Sequence, residues 1–169
     1  MDRVNQILVH PLYQECVEKI CKLEKDRIFC RHNMVHFLDV ARLAYVLDLE
    51  EQLTIPKERI YATALLHDIG RHIQYEQGIP HPKAGVPIAE KILKDCGFEE
   101  TERTEMLTAI ARHGDKTAAA EKNLNGLIYR ADKLSRSCFA CPVEKECDWI
   151  AKKRISRSNT EKSEKGCQE

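Results

Sequence analysis

The sequence has no excess charge of either sign, because its 169 residues carry 27 Lys and Arg against 27 Asp and Glu. A balanced chain is not built to coat nucleic acid or an anionic membrane, since both select a basic surface. Pro and Gly are scarce, at six and seven residues, which excludes a fibrous or low-complexity protein. The length and the hydrophobic fraction of 43% suit one domain with a single core.

Long apolar runs are also missing, since no stretch reaches the roughly 18 unbroken apolar residues of a membrane-spanning helix. The first ten residues have no basic stretch followed by an apolar run and a small-residue cleavage site, which a signal peptide requires. We therefore expect a cytoplasmic protein without membrane contact, whose thiols are kept reduced.

Signals for β-strands are absent too, because no segment alternates apolar and polar residues over a sustained length. Apolar residues recur instead at helical spacing. We expect an all-α fold, a single-domain helical bundle over 1–157, followed by a disordered tail over 158–169. The expected helices run over about 5–25, 32–51, 56–70, 82–97, 99–113 and 124–134, with a last one near Trp149 and a polar loop over 71–80.

Seven His and eight Cys are the two counts that stand out. His67 and Asp68 are adjacent at the end of an apolar helix, and His36 lies inside the most apolar one. Asp132 interrupts an otherwise apolar helical face. A buried carboxylate without a partner is costly, and imidazole nitrogens need partners as well. One divalent cation satisfies all four side chains at once, and this donor set suits Fe, Mn, Zn or Ni.

This order of His, His-Asp and a distant Asp resembles the HD superfamily of metal-dependent phosphohydrolases. The similarity covers about 32–137 and includes Leu-Leu-His-Asp-Ile-Gly-Arg, an upstream His-x-x-x-Val-Ala and a downstream Ala-Asp-Lys-Leu. His32 and His36 both offer a first ligand, since they lie four residues apart on one helix face. In the family the first ligand precedes Val-Ala by four and five residues, as His36 does. The resemblance implies His36 as the ligand and leaves His32 beside the metal or facing the phosphate.

Two further His extend the resemblance. His81 begins a helix and His113 ends the next one. The bacterial dinucleoside-tetraphosphate hydrolases of the superfamily are similar in order and spacing. By that resemblance Asp68 bridges two ions, and His81 and His113 hold the second. The implied ligands are His36, His67, Asp68, His81, His113 and Asp132.

Two cations about 3.5–4 Å apart activate a water and stabilise charge on a phosphoryl oxygen, so that no Ser or Cys nucleophile is needed. Asp68 is then the central catalytic residue. The charge that develops in the transition state needs fixed cations. Lys133 is the first candidate, followed by Arg71 and Lys83, which each lie near a ligand in the sequence. Arg71, Lys83 and His32 are also the expected substrate-binding residues.

A Cys-rich segment over 138–147 begins six residues after the last ligand. Cys138, Cys141 and Cys147 form Cys-x2-Cys-x5-Cys, which is one thiolate short of a tetrahedral zinc site or a usual iron–sulfur site. Cys30 lies six residues before the first ligand, so antiparallel helices would bring it towards Cys138. We hypothesise a separate Cys-ligated zinc or iron–sulfur site. Reduced thiols on a buried seam, or a labile disulfide, are the alternatives.

The expected function is metal-dependent hydrolysis of a small phosphorylated substrate, which is a nucleotide, a dinucleoside polyphosphate or another phosphate ester. No nucleic-acid partner is expected. Two alternatives stay open, because some HD relatives use a di-iron pair to activate dioxygen, and an HD domain with intact ligands could sense a nucleotide or a metal without turnover. The sequence leaves the substrate and the oligomeric state open.

Overall fold

The computed structural model describes residues 1–147, and over these residues the chain is helical without a β-strand, which confirms the all-α prediction. The α-helices are α1 (Asp2–Val9), α2 (Pro11–Leu23), α3 (Met34–Glu51), α4 (Lys57–Leu66), α5 (Arg71–Gln77), α6 (His81–Asp95), α7 (Glu100–Arg112) and α8 (Leu124–Leu134). A short 3₁₀ helix at Lys116–Ala120 lies between α7 and α8, and two more, Cys138–Ala140 and Glu144–Glu146, follow α8. The helix expected near Trp149 and the tail over 158–169 lie outside the described residues. Within 1–147 no helix has both the length and the apolar character needed to cross a membrane.

Side-chain caps fix where two of the central helices begin. The Asn33 carboxamide oxygen accepts the backbone N–H of His36 at 3.2 Å, which starts α3 just before that His. Asn123 caps α8 by accepting the N–H groups of Asn125 and Gly126. These caps satisfy N–H groups that have no partner inside a helix. As a result His36 lies in the first turn of α3.

Two expected segments differ from the structure. The helix predicted over 5–25 is broken at His10, because Pro11 starts a new helix and the His10 ring accepts the Leu12 N–H at 3.2 Å. The predicted polar loop over 71–80 contains α5, a helix of seven residues that is capped by Gly78. Only one side chain of α5, His72, is buried, so apolar periodicity could not reveal this helix.

The core lies where α3 packs against α4 and α8, with α7 closing against α6 and α8. Phe37, Val40 and Ala44 bury one face of α3. The opposite face is open, because Val35 and Leu49 are exposed, so α3 is not buried all round as its composition predicts.

Gly70 lets α6 approach the end of α4 closely. A Cβ atom there would lie 2.4 Å from the His81 carbonyl oxygen and 2.5 Å from the Gly85 nitrogen. The backbone of Gly70 has φ −81°, which any residue adopts, so glycine is required for space rather than for conformation. This contact places the start of α6, with His81, beside the His-Asp pair.

Candidate metal centre

Four side chains from three helices converge in the first group. His36 comes from the first turn of α3, His67 and Asp68 follow α4, and Asp132 lies in the last turn of α8. All four are buried, and one ligand atom of each lies within 4.8 Å of the others. The His67 Nε2 atom is 3.2 Å from Asp68 Oδ2 and 3.9 Å from Asp132 Oδ1. The His36 Nε2 atom is 3.5 Å from the same two oxygens.

A second group shares Asp68 with the first. The Asp68 Oδ1 atom, which is the other oxygen of that carboxylate, is 3.2 Å from His81 Nε2 and 3.5 Å from His113 Nε2. One ligand atom of each of these three residues lies within 4.8 Å of the other two. Asp68 therefore turns one oxygen to each group, which is the arrangement of a bridging carboxylate.

The imidazoles of both groups direct Nε2 inwards because their Nδ1 atoms are engaged elsewhere. The Nδ1–H of His67 donates to the Ala64 carbonyl, and that of His113 to the Ile110 carbonyl, each at 2.7 Å. His81 Nδ1 lies 2.5 Å from the Gln74 side-chain oxygen. A carbonyl oxygen can only accept, so the proton is on Nδ1 and the lone pair is on Nε2. This is how metal-binding His are usually oriented.

His36 reaches the same state through a hydroxyl group. The Ser135 Oγ–H donates to the Asp132 carbonyl at 2.8 Å, and the Oγ atom lies 3.2 Å from His36 Nδ1. Since its one proton is used, the hydroxyl accepts from Nδ1–H. The His36 Nε2 lone pair then faces the two carboxylates.

Some polar atoms at the centre of the site lack a suitable hydrogen-bond partner in the described chain. His67 Nε2 and Asp68 Oδ2 are buried without a hydrogen bond. The Nε2 atoms of His81 and His113 are 3.0 Å apart, although both carry lone pairs when Nδ1 is protonated. A cation between these atoms would relieve both conflicts, so the donor set fits a divalent metal in each group.

The site attracts positive charge. Burial opposes ionisation of Asp68, yet His67 and Arg71 hold the pKa of its carboxyl well below the usual range. Asp132 behaves likewise, because Lys133 and His67 outweigh its burial and lower its pKa. Burial lowers the pKa of His36 to about 4. His36 is thus neutral and the two carboxylates are ionised at neutral pH, whereas Asp68 and Asp132 raise the pKa of His67, so metal binding there would displace a proton.

Comparison with known proteins identifies the family. The family model described as HD domain matches residues 34–137, which is more than half of the chain. The chain belongs to the HD-domain family. HD domains are generally metal-dependent phosphohydrolases that bind divalent metals. The clusters described above occupy the matched region of this HD domain.

Several curated proteins are similar to this HD domain. An uncharacterized protein of Clostridium beijerinckii is 46% identical over 154 residues, which cover 91% of this chain and 96% of that protein. Ribonuclease Y 1 of Pediococcus pentosaceus is 30% identical over 129 residues, and ribonuclease Y of Syntrophomonas wolfei is 27% identical over 135 residues. These matches cover 75% and 78% of this chain but only 22% and 24% of the ribonucleases. No solved structure matches the chain.

Three cations of the HD domain touch the ligand carboxylates. The Arg71 Nε–H donates to Asp68 Oδ1 at 2.8 Å, and the Lys133 ammonium lies 2.5 Å from Asp132 Oδ2. Arg136 reaches Asp132 Oδ1 at 3.4 Å. Its Nη2 atom is also 3.3 Å from His36 Nε2, so a guanidinium contacts two ligand atoms of the first group. Arg71 and Lys133 therefore lie beside the candidate ligands, and their catalytic roles stay predictions; Arg136 is a third cation at this place.

His32 is buried beside the first group. Its Nε2 atom is 3.7 Å from Asp68 Oδ2, and its Nδ1 atom is 2.5 Å from the Glu24 carboxylate. Glu24 is also buried and accepts the Tyr75 hydroxyl at 2.5 Å. His32 thus lies next to the candidate metal ligands, and its substrate-binding role stays a prediction. Glu24 and Tyr75 carry no motif that could reveal them.

The remaining predicted residues lie further from the two groups. Lys83 is exposed and lines a shallow groove with Pro80, Val86 and Pro87, and it is not among the residues lining the cavity at the metal centre. Its substrate-binding role stays a prediction.

The cysteines of the hypothesised second site are only partly brought together. Cys30, Cys138 and Cys147 line one cavity with Asp132, and Cys141 is not among its lining residues. Over 1–147 no three thiols meet the 4.8 Å criterion that both His/Asp groups meet. The cavity supports their proximity, and metal binding by these thiols stays a prediction.

Proposed function

We propose that this HD domain hydrolyses a nucleotide, a dinucleoside polyphosphate or another small phosphate ester with two divalent ions. The observation that supports this most strongly is Asp68, whose two oxygens face two separate His groups. When bound, such ions would activate a water for attack on phosphorus and withdraw charge from a phosphoryl oxygen. Iron, manganese, zinc and nickel all suit this donor set.

The protein's own side chains would orient the reaction. Asp68 and Asp132 keep the ligand cage negative, and the Nδ1–H donations fix the ring planes of the imidazoles. Arg71 and Lys133 touch these carboxylates and point their charge at the same cavity, where they would bind phosphoryl oxygens.

The test is an elemental count per chain together with a turnover screen over nucleotides, dinucleoside polyphosphates and simple phosphate esters. Asp68→Asn should lose bound metal in both groups and lower turnover at least about 100-fold, since even groups outside the ligand set cost 10–100-fold in metal sites. Asp39→Asn, an exposed carboxylate on α3, should change neither quantity. Full activity in Asp68→Asn would overturn the proposal.

The ribonuclease Y relatives support a second candidate, which is cleavage of RNA. The ribonucleases Y compared are 25–31% identical to this chain, over 22–27% of their own length. RNA oligonucleotides therefore belong in the same screen. Turnover of RNA without turnover of nucleotides would favour this candidate.

We also propose that Cys30, Cys138, Cys141 and Cys147 hold zinc or an iron–sulfur cluster. The metal-ligand spacing of the segment and the cavity shared by three of these thiols support it. Zinc, iron and acid-labile sulfide would be measured after purification without oxygen. Metal no higher than the His/Asp groups can hold, with four freely titrating thiols, would contradict the proposal. Cys21→Ala, an exposed Cys on α2, is the control for Cys138→Ala.

A further inference from the structure

The cavity next to Asp132 is small and cationic. Its volume is about 170 Å³, below the roughly 300 Å³ at which pockets for drug-sized ligands begin. Four cationic side chains line it, and Asp132 is the only carboxylate among its lining residues within 1–147. The four cations are Arg27, Arg71, Lys133 and Arg136. A cavity of this size and charge suits linked phosphate groups and leaves a nucleoside outside.

Arg27 differs from the other three cations in what it contacts. Arg71 pairs with Asp68, while Lys133 and Arg136 contact Asp132. Over residues 1–147 no carboxylate lies within 4.0 Å of the Arg27 guanidinium, whose Nε–H donates to the Cys30 carbonyl at 2.9 Å. That bond holds the side chain in the loop between α2 and α3, against the cavity. Its terminal N–H groups are therefore available to an anion.

The position of Arg27 has a consequence for the substrate. Arg71, Lys133 and Arg136 contact the candidate ligand carboxylates and would face a phosphoryl group at the metal centre. Arg27 lines the same cavity without such a contact and would face a second anion. A phosphate monoester or a single phosphodiester has no second phosphate to place near Arg27. A chain of two or more phosphates would place one phosphate at the metal centre and another near Arg27.

We infer that the cavity is a polyphosphate subsite in which Arg27 binds a second phosphate, linked to the one at the metal centre. This inference rests on the proposed phosphohydrolase function and narrows its substrate to a compound with a phosphoanhydride chain. Guanidinium N–H groups donate to phosphate oxygens in bidentate fashion, which makes Arg suited to this role.

The test is calorimetric binding of inorganic tripolyphosphate and of inorganic phosphate to the Mn²⁺-loaded protein. Arg27→Gln should weaken tripolyphosphate binding about 10- to 100-fold, as expected for a charge-assisted hydrogen bond, and leave phosphate binding within about twofold. Lys25→Gln removes the same charge from the same loop outside the cavity and should bind both anions as wild type does. Tripolyphosphate also chelates Mn²⁺, and it does so equally with the wild type and both variants. Chelation therefore does not affect the comparison among these three proteins.

The outcomes separate this inference from the proposed function. Tripolyphosphate that binds no more tightly than phosphate, or an Arg27→Gln variant that weakens both equally, would overturn the subsite even if phosphate esters are hydrolysed. Selective weakening in a protein that hydrolyses no phosphate compound would support the subsite and refute the hydrolase. Where turnover is found, Arg27→Gln should raise KM for nucleoside triphosphates and not for p-nitrophenyl phosphate.

Discussion

At the scale of single residues, the ligand imidazoles differ in what holds them. His67 and His113 donate Nδ1–H to backbone carbonyls of the turn before them, which no substitution of a neighbouring side chain removes. His81 depends on the side chain of Gln74 and His36 on the hydroxyl of Ser135. In each group, therefore, one imidazole can lose its orienting partner through a substitution that leaves every candidate ligand in place.

Gln74→Ala should weaken binding of an ion to the second group, which contains His81, and leave the affinity of the first group unchanged. Loss of the partner of His81 Nδ1 frees the ring to rotate and to change tautomer, which costs about 10–100-fold in affinity at comparable metal sites. Titration with Mn²⁺ should then resolve one site of unchanged affinity and one weakened site. Gln77→Ala, an exposed residue of the same helix, is the control. Equal weakening at both sites would mean that Gln74 stabilises the whole centre through α5 and does not act on His81 alone.

The sequence singles out the six candidate ligands that the structure brings together, but not the residues that orient them. The six ligands form an ordered series of His and Asp, and burial of charged groups makes each of them conspicuous. Gln74, Glu24 and Ser135 are ordinary polar residues whose partners are chosen by tertiary contacts. Only Ser135, three residues after a ligand on α8, has a position that helical geometry could relate to the site.

At the scale of helices, the contact between Gly70 and Gly85 sets where α6 begins relative to the His-Asp pair. The helix predicted over 56–70 ends at Gly70, whose backbone, with φ −81° and ψ 1°, does not require glycine. The sequence likewise shows neither the break at His10 nor the short helix α5. Helix existence follows from apolar periodicity, whereas breaks and close crossings depend on neighbouring backbone that one sequence does not display.

Gly70→Ala should separate α6 from α4. A methyl group 2.4 Å from a backbone oxygen forces the helices apart, and overpacking of this kind costs typically 1–3 kcal/mol. At this chain length a cost of about 2 kcal/mol lowers Tm by roughly 4–8 °C. The movement carries His81 away from Asp68, so binding of the second ion should weaken as well. Gly114→Ala has open space around its Cβ and should change both quantities little; equal effects in the two variants would refute the steric explanation.

At the scale of the whole molecule, the metal-free protein buries several imidazoles whose pKa values differ from those in the unfolded chain. Burial lowers the pKa of His36 and of His81 to about 4, below the value of about 6.5 in an unfolded chain. The pKa of His67 moves the other way, because Asp68 and Asp132 outweigh its burial. Imidazoles with opposite shifts affect stability in different pH ranges.

The metal-free protein should therefore be most stable near pH 6.5. Between pH 6.5 and about pH 4, His36 and His81 are protonated in the unfolded chain but stay neutral in the folded protein. The free energy of unfolding therefore falls by about 1.4 kcal/mol per pH unit for each imidazole. Above this range, stability from His67 is lost as pH rises through its raised pKa. Urea unfolding of chelator-treated protein between pH 5 and 8 measures both limbs. In His36→Gln the acid limb should be shallower, and an unchanged limb would refute its assignment.

Metal binding should make the stability of the protein more sensitive to acid. The first group would bind an ion only when His67 has lost its proton, and Asp68 and Asp132 raise the pKa of His67, so the stabilisation by Mn²⁺ should grow as the pH rises and decrease towards pH 5. At 100 times the dissociation constant one bound ion contributes about 2.7 kcal/mol, and two independent ions about twice that. The difference in unfolding free energy between loaded and chelated protein thus counts the ions as well as detecting them. Asp68→Asn, which faces both groups, should abolish the whole difference, whereas His113→Gln should retain the part due to the first group. Retention of the full difference in Asp68→Asn would show that the stabilising ions bind elsewhere.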